Sequence, residues 1–501
     1  MHQMIAEIIN GFSLMLTVGN MLAVLLGLSF GVVFGAIPGL SATMAIALVM
    51  PLTYNMDPIM AFAAFLAAYK AGMYGGSISA ILINTPGVPA SVVTTFDGYP
   101  MAQKGEAPRA LDMALWASVL ADFFSTLCLI FLAVAIAKIA LKFGPPEYAS
   151  LTVFALLIVS GVSGSSVLKG IITASLGFLM ATVGLDPVVA TERYTFGMPG
   201  LLNGIGLMVM LIGLFAISEI LIQAGQRANI KVDGTMARAV KKYSQFKDVI
   251  FCLPIIVKSI LMGVAIGAMP GIGGTTAAFV SYAEAKRASK HPEEFGKGSL
   301  EGVAAAEAGN NATVGGALIP LLALGIPGDV TTAVLLGALM IHGLTPGPTL
   351  FTEHSHFVYA IFAALLMSSF LLPVIGKIAI RMFGYITRVP KSVLFPILAV
   401  LCTLGVFGFS SSFDDLKIML FFGVLGYFVR KLDFPLAPLL IGFILEPICE
   451  TSIRQSLILS DGSFFIFVTR PLSAFFLLLA VAVVLFVAYM KKTQKSSVLL
   501  G

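Results

Sequence analysis

GVVFGAIPGLSATMA, from Gly31 to Ala45, returns as GVAIGAMPGIGGTTA from Gly263 to Ala277, with eight of fifteen positions identical and no gap. Both copies set a Pro-Gly pair, Pro38-Gly39 and Pro270-Gly271, in the middle of an apolar run. Proline has no N–H to donate and clashes with the preceding turn, while glycine admits backbone angles closed to other residues, so a helix breaks there. A second motif follows each copy. Gly75-Gly76 leads to Pro86-Gly87, and Gly315-Gly316 leads to Pro327-Gly328 with one additional residue between the pairs. Similarity in this order and spacing marks an internal repeat.

The surrounding chain is not built for water. Of its 501 residues 58% are hydrophobic and 11% charged, with a mean hydropathy of +0.99, whereas soluble proteins carry about 25% charged residues. Apolar stretches suited to a hydrocarbon core of about 30 Å recur along the chain, the first spanning 12–37 and the last 464–490. The fold class expected is an all-α polytopic membrane protein. The formal charge of +5 sits in short polar connections, which argues against nucleic-acid binding. Cys128, Cys252, Cys402 and Cys449 lie far apart without metal or redox spacing and read as packing residues. The first 30 residues lack a basic n-region, and no cleavage pattern follows the first apolar run, so that run reads as a membrane segment rather than a removable signal.

Charge then orients the halves. Residues 223–249 hold Arg227, Lys231, Arg238, Lys241, Lys242 and Lys247, the strongest cytoplasmic signal in the chain. They divide it into a first repeat (1–222), a basic linker (223–249) and a second repeat with C-terminal helices (250–501). No Lys or Arg precedes the first Pro-Gly copy, whereas the second follows this linker. Residues 52–58 carry no basic residue, but 284–300 carry Lys286, Arg287, Lys290 and Lys297; Lys104 and Arg109 lie within 98–109, while 343–356 has neither type. The halves therefore want opposite orientations, which makes them inverted-topology repeats with broken or re-entrant helices. Lys138 and Lys142 dissent and read as snorkelling side chains. Lys491, Lys492 and Lys495 place the C-terminus in the cytoplasm, with the N-terminus outside.

Broken backbone at membrane depth leaves groups that lipid cannot satisfy, so it is tolerated where it is buried in protein or lines a polar cavity. Four such breaks, Pro38-Gly39, Pro86-Gly87, Pro270-Gly271 and Pro327-Gly328, predict a site. Each is followed by residues that can start a new helix: Ser41 and Thr43, Ser91 and Thr94, Thr275 and Thr276, and Asp329, Thr331 and Thr332. A half-helix starting inside the membrane aims N–H groups and the positive end of its dipole at an anion, and a carboxylate fits that field. Unwound carbonyls and preceding helix ends suit Na⁺. Asn84, Thr85, Asn310, Asn311 and the intramembrane Lys70 join the solute candidates; capping, interhelical hydrogen bonds or a structural ion pair are their plainer roles. Asp329, Thr332 and Thr276 are coupling-ion candidates, with Asp329 equally suited to an N-cap. Asp97 is a weaker candidate for the same role as Asp329, while Asp122, Glu219 and Glu307 read foremost as packing partners. His354 and His356 lack further ligands, and no transition-metal site is expected.

The segments GAIPGLSATMAIALVMPLTY (35–54), YGGSISAILINTPGVPASVVTTFDGYPMA (74–102), GAMPGIGGTTAAF (267–279) and EAGNNATVGGALIPLLALGIPGD (307–329) resemble the large membrane subunit of the tripartite tricarboxylate transporter family. The resemblance spans nearly the whole chain. It implies a multi-pass permease of a bacterial inner membrane, working with a small membrane subunit and a periplasmic solute-binding protein. The expected cargo is a small carboxylate, whether tricarboxylate, dicarboxylate or aromatic acid, driven by Na⁺ or a proton and without other cofactor. An anion channel or uniporter is the alternative. A membrane enzyme fits poorly, since the chain has no G-x-S-x-G elbow, HExxH helix or P-loop. A scaffold would leave four breaks without purpose. Elevator and rocking motions both satisfy the sequence.

Overall fold

The structure, a computed structural model, describes residues 2–162, 166–187, 189–225, 246–386 and 390–498. Arg227, Lys231, Arg238, Lys241 and Lys242 of the basic linker lie outside the described residues, as do the side chains of Lys491, Lys492 and Lys495. The first half holds α1 (His2–Met15), α2 (Val18–Ala36), α3 (Ala42–Thr53), α4 (Pro58–Ile83), α5 (Thr94–Gln103), α6 (Ala107–Ala140), α7 (Pro145–Val162) and α8 (Val167–Ala181). It ends in α9 (Leu207–Leu211) and α10 (Ser218–Ala224), joined through a π-helical stretch over Ile212–Ile217. The second half begins with α11 (Phe246–Gly267), α12 (Gly273–Ala288), α13 (Leu300–Leu324), α14 (Val330–Ile341), α15 (Leu350–Glu353) and α16 (Ser355–Ile386). It closes with α17 (Lys391–Ser410), α18 (Phe413–Lys431), α19 (Leu436–Leu459), α20 (Ile466–Thr469) and α21 (Pro471–Val498). Seven helices among the described residues are long and apolar enough to cross a membrane, so the all-α polytopic fold stands.

Two apolar stretches are subdivided. The run 12–37 is not one helix: the chain turns at Leu16-Thr17, where the Asn20 amide donates to the Leu14 carbonyl at 2.8 Å. There α1 leaves to pack on α16, with Gly11 against the Tyr359 backbone. The apolar stretch 199–222 opens with a 3₁₀ turn over Pro199–Leu201 and becomes α-helical only from Leu207. Before it, a two-stranded hairpin (Gly184–Leu185 with Glu192–Arg193) is pinned to α19. Arg454 reaches Asp186 at 3.0 Å and Glu450 at 2.7 Å, and Arg193 reaches Glu450 at 3.0 Å.

Glycine sets the direction of the central helices. A Cβ at Gly27, Gly31 or Gly35 of α2 would strike Ala64, Ala68 or Gly72 of α4 respectively, so backbone lies on backbone and both helices advance together. They are parallel. The helix between them, α3, must therefore double back, and α2 with α3 forms a hairpin whose tip is Pro38-Gly39. The second half repeats this: Gly263 and Gly267 of α11 lie against Gly309 and Thr313 of α13, and α12 doubles back after Pro270-Gly271. Both central helices, α4 and α13, are buried nearly all round and lack an amphipathic face, as interior helices do.

The register between the halves differs from the one expected. Gly75 lies on Val32 as Gly316 lies on Val264, and Gly87 meets Gly35 and Gly76 as Gly328 meets Gly267 and Ala317. One constant offset thus carries α4 through its break onto α13. The extra residue inferred between the motifs came from matching the Gly-Gly doublets, whereas packing equates Gly76 with Ala317. Asn84 and Gly325 end the two helices at equivalent places in the left-handed region, with φ of 53° and 73°, a conformation open mainly to glycine and asparagine.

The central helices of the halves also run opposite ways. Helix α6 is parallel to α13, since Ser118 meets Asn311 and Ser125 meets Gly315. It is antiparallel to α4, since Lys70 meets Thr126 while Tyr74 and Leu115 share the space beside Gly376. Each doubling-back helix then packs on the other half: α3 on α14, and α12 on the 3₁₀ turn Pro89–Val92 that precedes α5.

Candidate functional site

The four breaks converge through this interlock into two equivalent places. At the first, the start of α3 meets the start of α14. Ser41 caps α3 by accepting from the Met44 amide at 3.1 Å, and Asp329 caps α14 in a full capping box with Thr332. The Thr43 and Thr331 hydroxyls join the two helix ends at 2.7 Å. Tyr69 of α4 donates a short hydrogen bond to the second Asp329 oxygen. Every polar side chain singled out here is thus bonded to another part of the protein.

The second place is made from the equivalents of those residues, and it is depleted. Gly273 stands for Ser41, Val88 for Asp329, Ala90 for Thr331, Ser91 for Thr332 and Asn310 for Tyr69. Neither α12 nor α5 has a side-chain cap. Asn310 is fully buried with neither amide atom bonded, and the Ser91 hydroxyl is likewise buried and unbonded. A Cβ on Gly274 would press on the Asn310 oxygen, so the missing side chain opens the face of Asn310 toward the start of α12. Ser91 lies beside Gly76 on the facing surface of α4. Thr275, in the first turn of α12, is half-buried, and the exposed Thr276 donates back to the Ile272 carbonyl at 3.4 Å.

The tips touch as well. The Gly271 amide donates to the Gly328 carbonyl at 2.7 Å, joining the third break to the fourth, while Gly39 lies against the Gln223 side chain. A cavity of about 180 Å³ opens between α11 and α12. Lys258 and Glu284 line it, and so does Ser281, which adjoins Gly309.

Other candidates fall elsewhere. The Lys70 ammonium, fully buried, donates to the Leu365 carbonyl (2.8 Å), Ser369 (2.7 Å) and Thr126 (3.2 Å), stitching α4 to α6 and α16 rather than joining either place. Asn84 is exposed and serves to end α4, and Thr85 donates to the Ile83 carbonyl at 3.2 Å. Asp97 accepts from Tyr282 and from the amides of Gly296, Gly298 and Ser299, all at 2.8 Å, which fixes the approach to α13. Glu219 pairs with Arg430. Three residues carry more than the sequence reading gave them. Tyr69 was marked only by a hydroxyl in an apolar helix next to Lys70, and Glu307, with Asn311, by being an acid deep inside a wholly buried helix.

The comparisons with known proteins agree with one another. Residues 21–441 match the model described as the tripartite tricarboxylate transporter TctA family. The chain is 35% identical over 484 residues, covering 97% of this chain and 96% of the relative, to an uncharacterized 52.8 kDa protein in the TAR-I ttuC' 3' region of Agrobacterium vitis. It is also 35% identical over 212 residues to an uncharacterized protein in the TAR-II ttuC' 3' region of the same organism, covering 42% of this chain and 88% of that relative. No solved structure matches.

Proposed function

The chain belongs to the tripartite tricarboxylate transporter TctA family, and from that premise we propose that it takes up a small carboxylate by binding it at the second, depleted place. Membership makes it a multi-pass transporter and the large subunit of a tripartite system. The carrying observation is Asn310, a fully buried amide with both polar atoms unbonded, facing an uncapped helix start. Burying such a group without partners is costly, and a carboxylate answers it: one oxygen accepts from the amide and from Ser91, while the positive end of α12 offsets the charge. The first place has an acid where the second has Val88, which disfavours an anion there.

We read the halves, 1–222 and 250–501 about the linker 223–249, as inverted repeats in a bacterial inner membrane with a cytoplasmic C-terminus. The opposed directions of α4 and α13 and the flanking charges support this. The cavity between α11 and α12, on the side of the basic 284–300 segment, gives an inward route toward Ser281. A periplasmic binding protein delivers the solute, a small membrane subunit completes the complex, and a Na⁺ or proton gradient drives uptake. The test is uptake of labelled citrate, dicarboxylates and aromatic acids into proteoliposomes holding this chain with its small subunit and binding protein. Gradient-dependent uptake lost in Asn310→Asp supports the reading; gradient-independent flux indicates a channel or uniporter. Uptake unchanged in Asn310→Asp removes the second place as the binding site.

A further inference from the structure

We propose that Glu307 is the seat of the coupling cation, an inference that rests on the reading of this chain as a gradient-driven transporter. Asp329 is the acid nearest the breaks, but its two oxygens are engaged by Tyr69 and by the capping box of its own helix. It is spent on structure. Glu307 is different. It is fully buried in the middle of α13, and no ion pair to it is found among the described residues. Its oxygens receive Thr94, by a short hydrogen bond, Ser118 at 3.3 Å and the Asn311 amide at 3.4 Å.

These donors are neutral. They meet the hydrogen-bonding capacity of the carboxylate but leave its charge uncompensated at membrane depth, where an isolated charge is costly. The second observation is Asn311. Its nitrogen donates to Ser118 at 2.8 Å and to the Glu307 carbonyl at 3.0 Å, while its side-chain oxygen, fully buried, has no donor. An acceptor oxygen beside an uncompensated carboxylate and two hydroxyls is an all-oxygen set that suits a small monovalent cation, as Na⁺ or as a proton on the carboxyl.

The charged and titratable neighbours leave that role open. Tyr74 of α4 lies near Glu307 with an unbonded hydroxyl, and α6 contributes Asp112 beside Tyr74, whereas Asp122 of α6 sits by Lys70. Toward the start of α13, Asp97 of α5 and Tyr282 of α12 are bonded to each other. Lys70, the cation of α4, is turned to α6 and α16.

Position supplies the coupling. Thr94 is the first residue of α5, just past the Pro86-Gly87 break, and Asn310 lies one turn from Glu307 on α13. A cation at Glu307 would exchange the Thr94 bond for a coordinating or accepting role. It would thereby set the post-break segment that carries Ser91 relative to the helix that carries Asn310. In the other half the place of Glu307 is held by Leu66, so there is one such seat and no twin.

The experiment uses the purified complex of this chain with its small subunit and needs no solute. Saturable ²²Na⁺ binding, competed by Na⁺ but not by K⁺, is expected to weaken roughly tenfold or more in Glu307→Gln and in the milder Asn311→Ala, because each loses an oxygen ligand. If wild type shows no saturable Na⁺ binding, the proton arm decides: proton-driven uptake must be lost in Glu307→Gln while solute exchange across the membrane without a gradient persists. Wild-type Na⁺ binding in a monodisperse Glu307→Gln protein overturns the proposal, as does wild-type proton-driven uptake by it. Loss of cation dependence in Asp329→Asn with its retention in Glu307→Gln does so too. Cation binding through Glu307 in a protein that moves no carboxylate would defeat the transport reading and leave this one intact.

Discussion

The two places where the halves interlock share a backbone and differ in chemistry. At the first, Ser41 caps its own helix, Thr43 bonds Thr331, and Asp329 is held by Tyr69 and Thr332, so that each of these side chains is engaged. At the second, those positions hold Gly273, Thr275, Asn310, Val88, Ala90 and Ser91, and the polar atoms of Asn310 and Ser91 have no partner. Repetition supplied two equivalent scaffolds. Side-chain replacement then made one a closed structural joint and left the other open to a ligand. Symmetry of the backbone is therefore a poor guide to symmetry of side-chain chemistry, and the proposed binding place is the one left open.

The largest effect should come where the two places are alike. A Cβ at Gly87 would collide with the Gly35 carbonyl and the Gly76 Cα, and one at Gly328 would meet Gly267 and Ala317. Gly87→Ala and Gly328→Ala should each abolish uptake at a stability cost of about 1–3 kcal/mol, measured by proteoliposome flux and thermal unfolding. If only one abolishes uptake, the backbone equivalence fails.

Next come the twins Tyr69 and Asn310, which should separate cleanly. Tyr69→Phe removes a donor from a buried carboxylate and should lower stability by about 1.5–3 kcal/mol. Asn310→Ala breaks no bond within the protein and should stay within about 1 kcal/mol of wild type, while raising the KM for uptake roughly tenfold. A destabilised Asn310→Ala protein with unchanged KM would reverse the assignment of the two places.

The smallest effects lie at the helix starts. Ser41→Ala deletes the cap of α3 and should cost about 1 kcal/mol. Thr275→Ala, at the equivalent of Thr43 in the uncapped helix, should change stability by less than about 0.5 kcal/mol. Thr43→Val, which removes the hydroxyl joining α3 to α14, should fall near 0.5–1.5 kcal/mol. Equal losses in Thr43→Val and Thr275→Ala would mean the second place is as closed as the first.

The sequence announces its breaks because proline and glycine act locally. Pro38-Gly39, Pro86-Gly87, Pro270-Gly271 and Pro327-Gly328 all interrupt helices, and Ser41 and Asp329 are the caps their side chains suit. Long-range facts were harder to read. Matching the Gly-Gly doublets misplaced the register by one residue, since what counts is which glycine meets the neighbouring backbone. Lys70 looked like an anion partner because a buried cation asks for a negative charge, yet two hydroxyls and two carbonyls from α6 and α16, distant in sequence, bond it, and Asp122 of α6 supplies the nearby charge. Glu307 was set aside for the opposite reason: its importance lies in the lack of a countercharge, and no stretch of sequence displays an absence in space.

The bond from the Gly271 amide to the Gly328 carbonyl is made of main chain only. Gly271 holds a φ of +83°, and a side chain there would meet Val159. Proline would remove the donor but cannot take that angle. No exchange of one amino acid for another deletes this clasp without also rebuilding the tip around it. A scan of all substitutions would record two intolerant glycines and credit their small size. An ester in place of the Gly271 amide is the change that would weigh the bond itself, and natural variation has no such letter with which to adjust it.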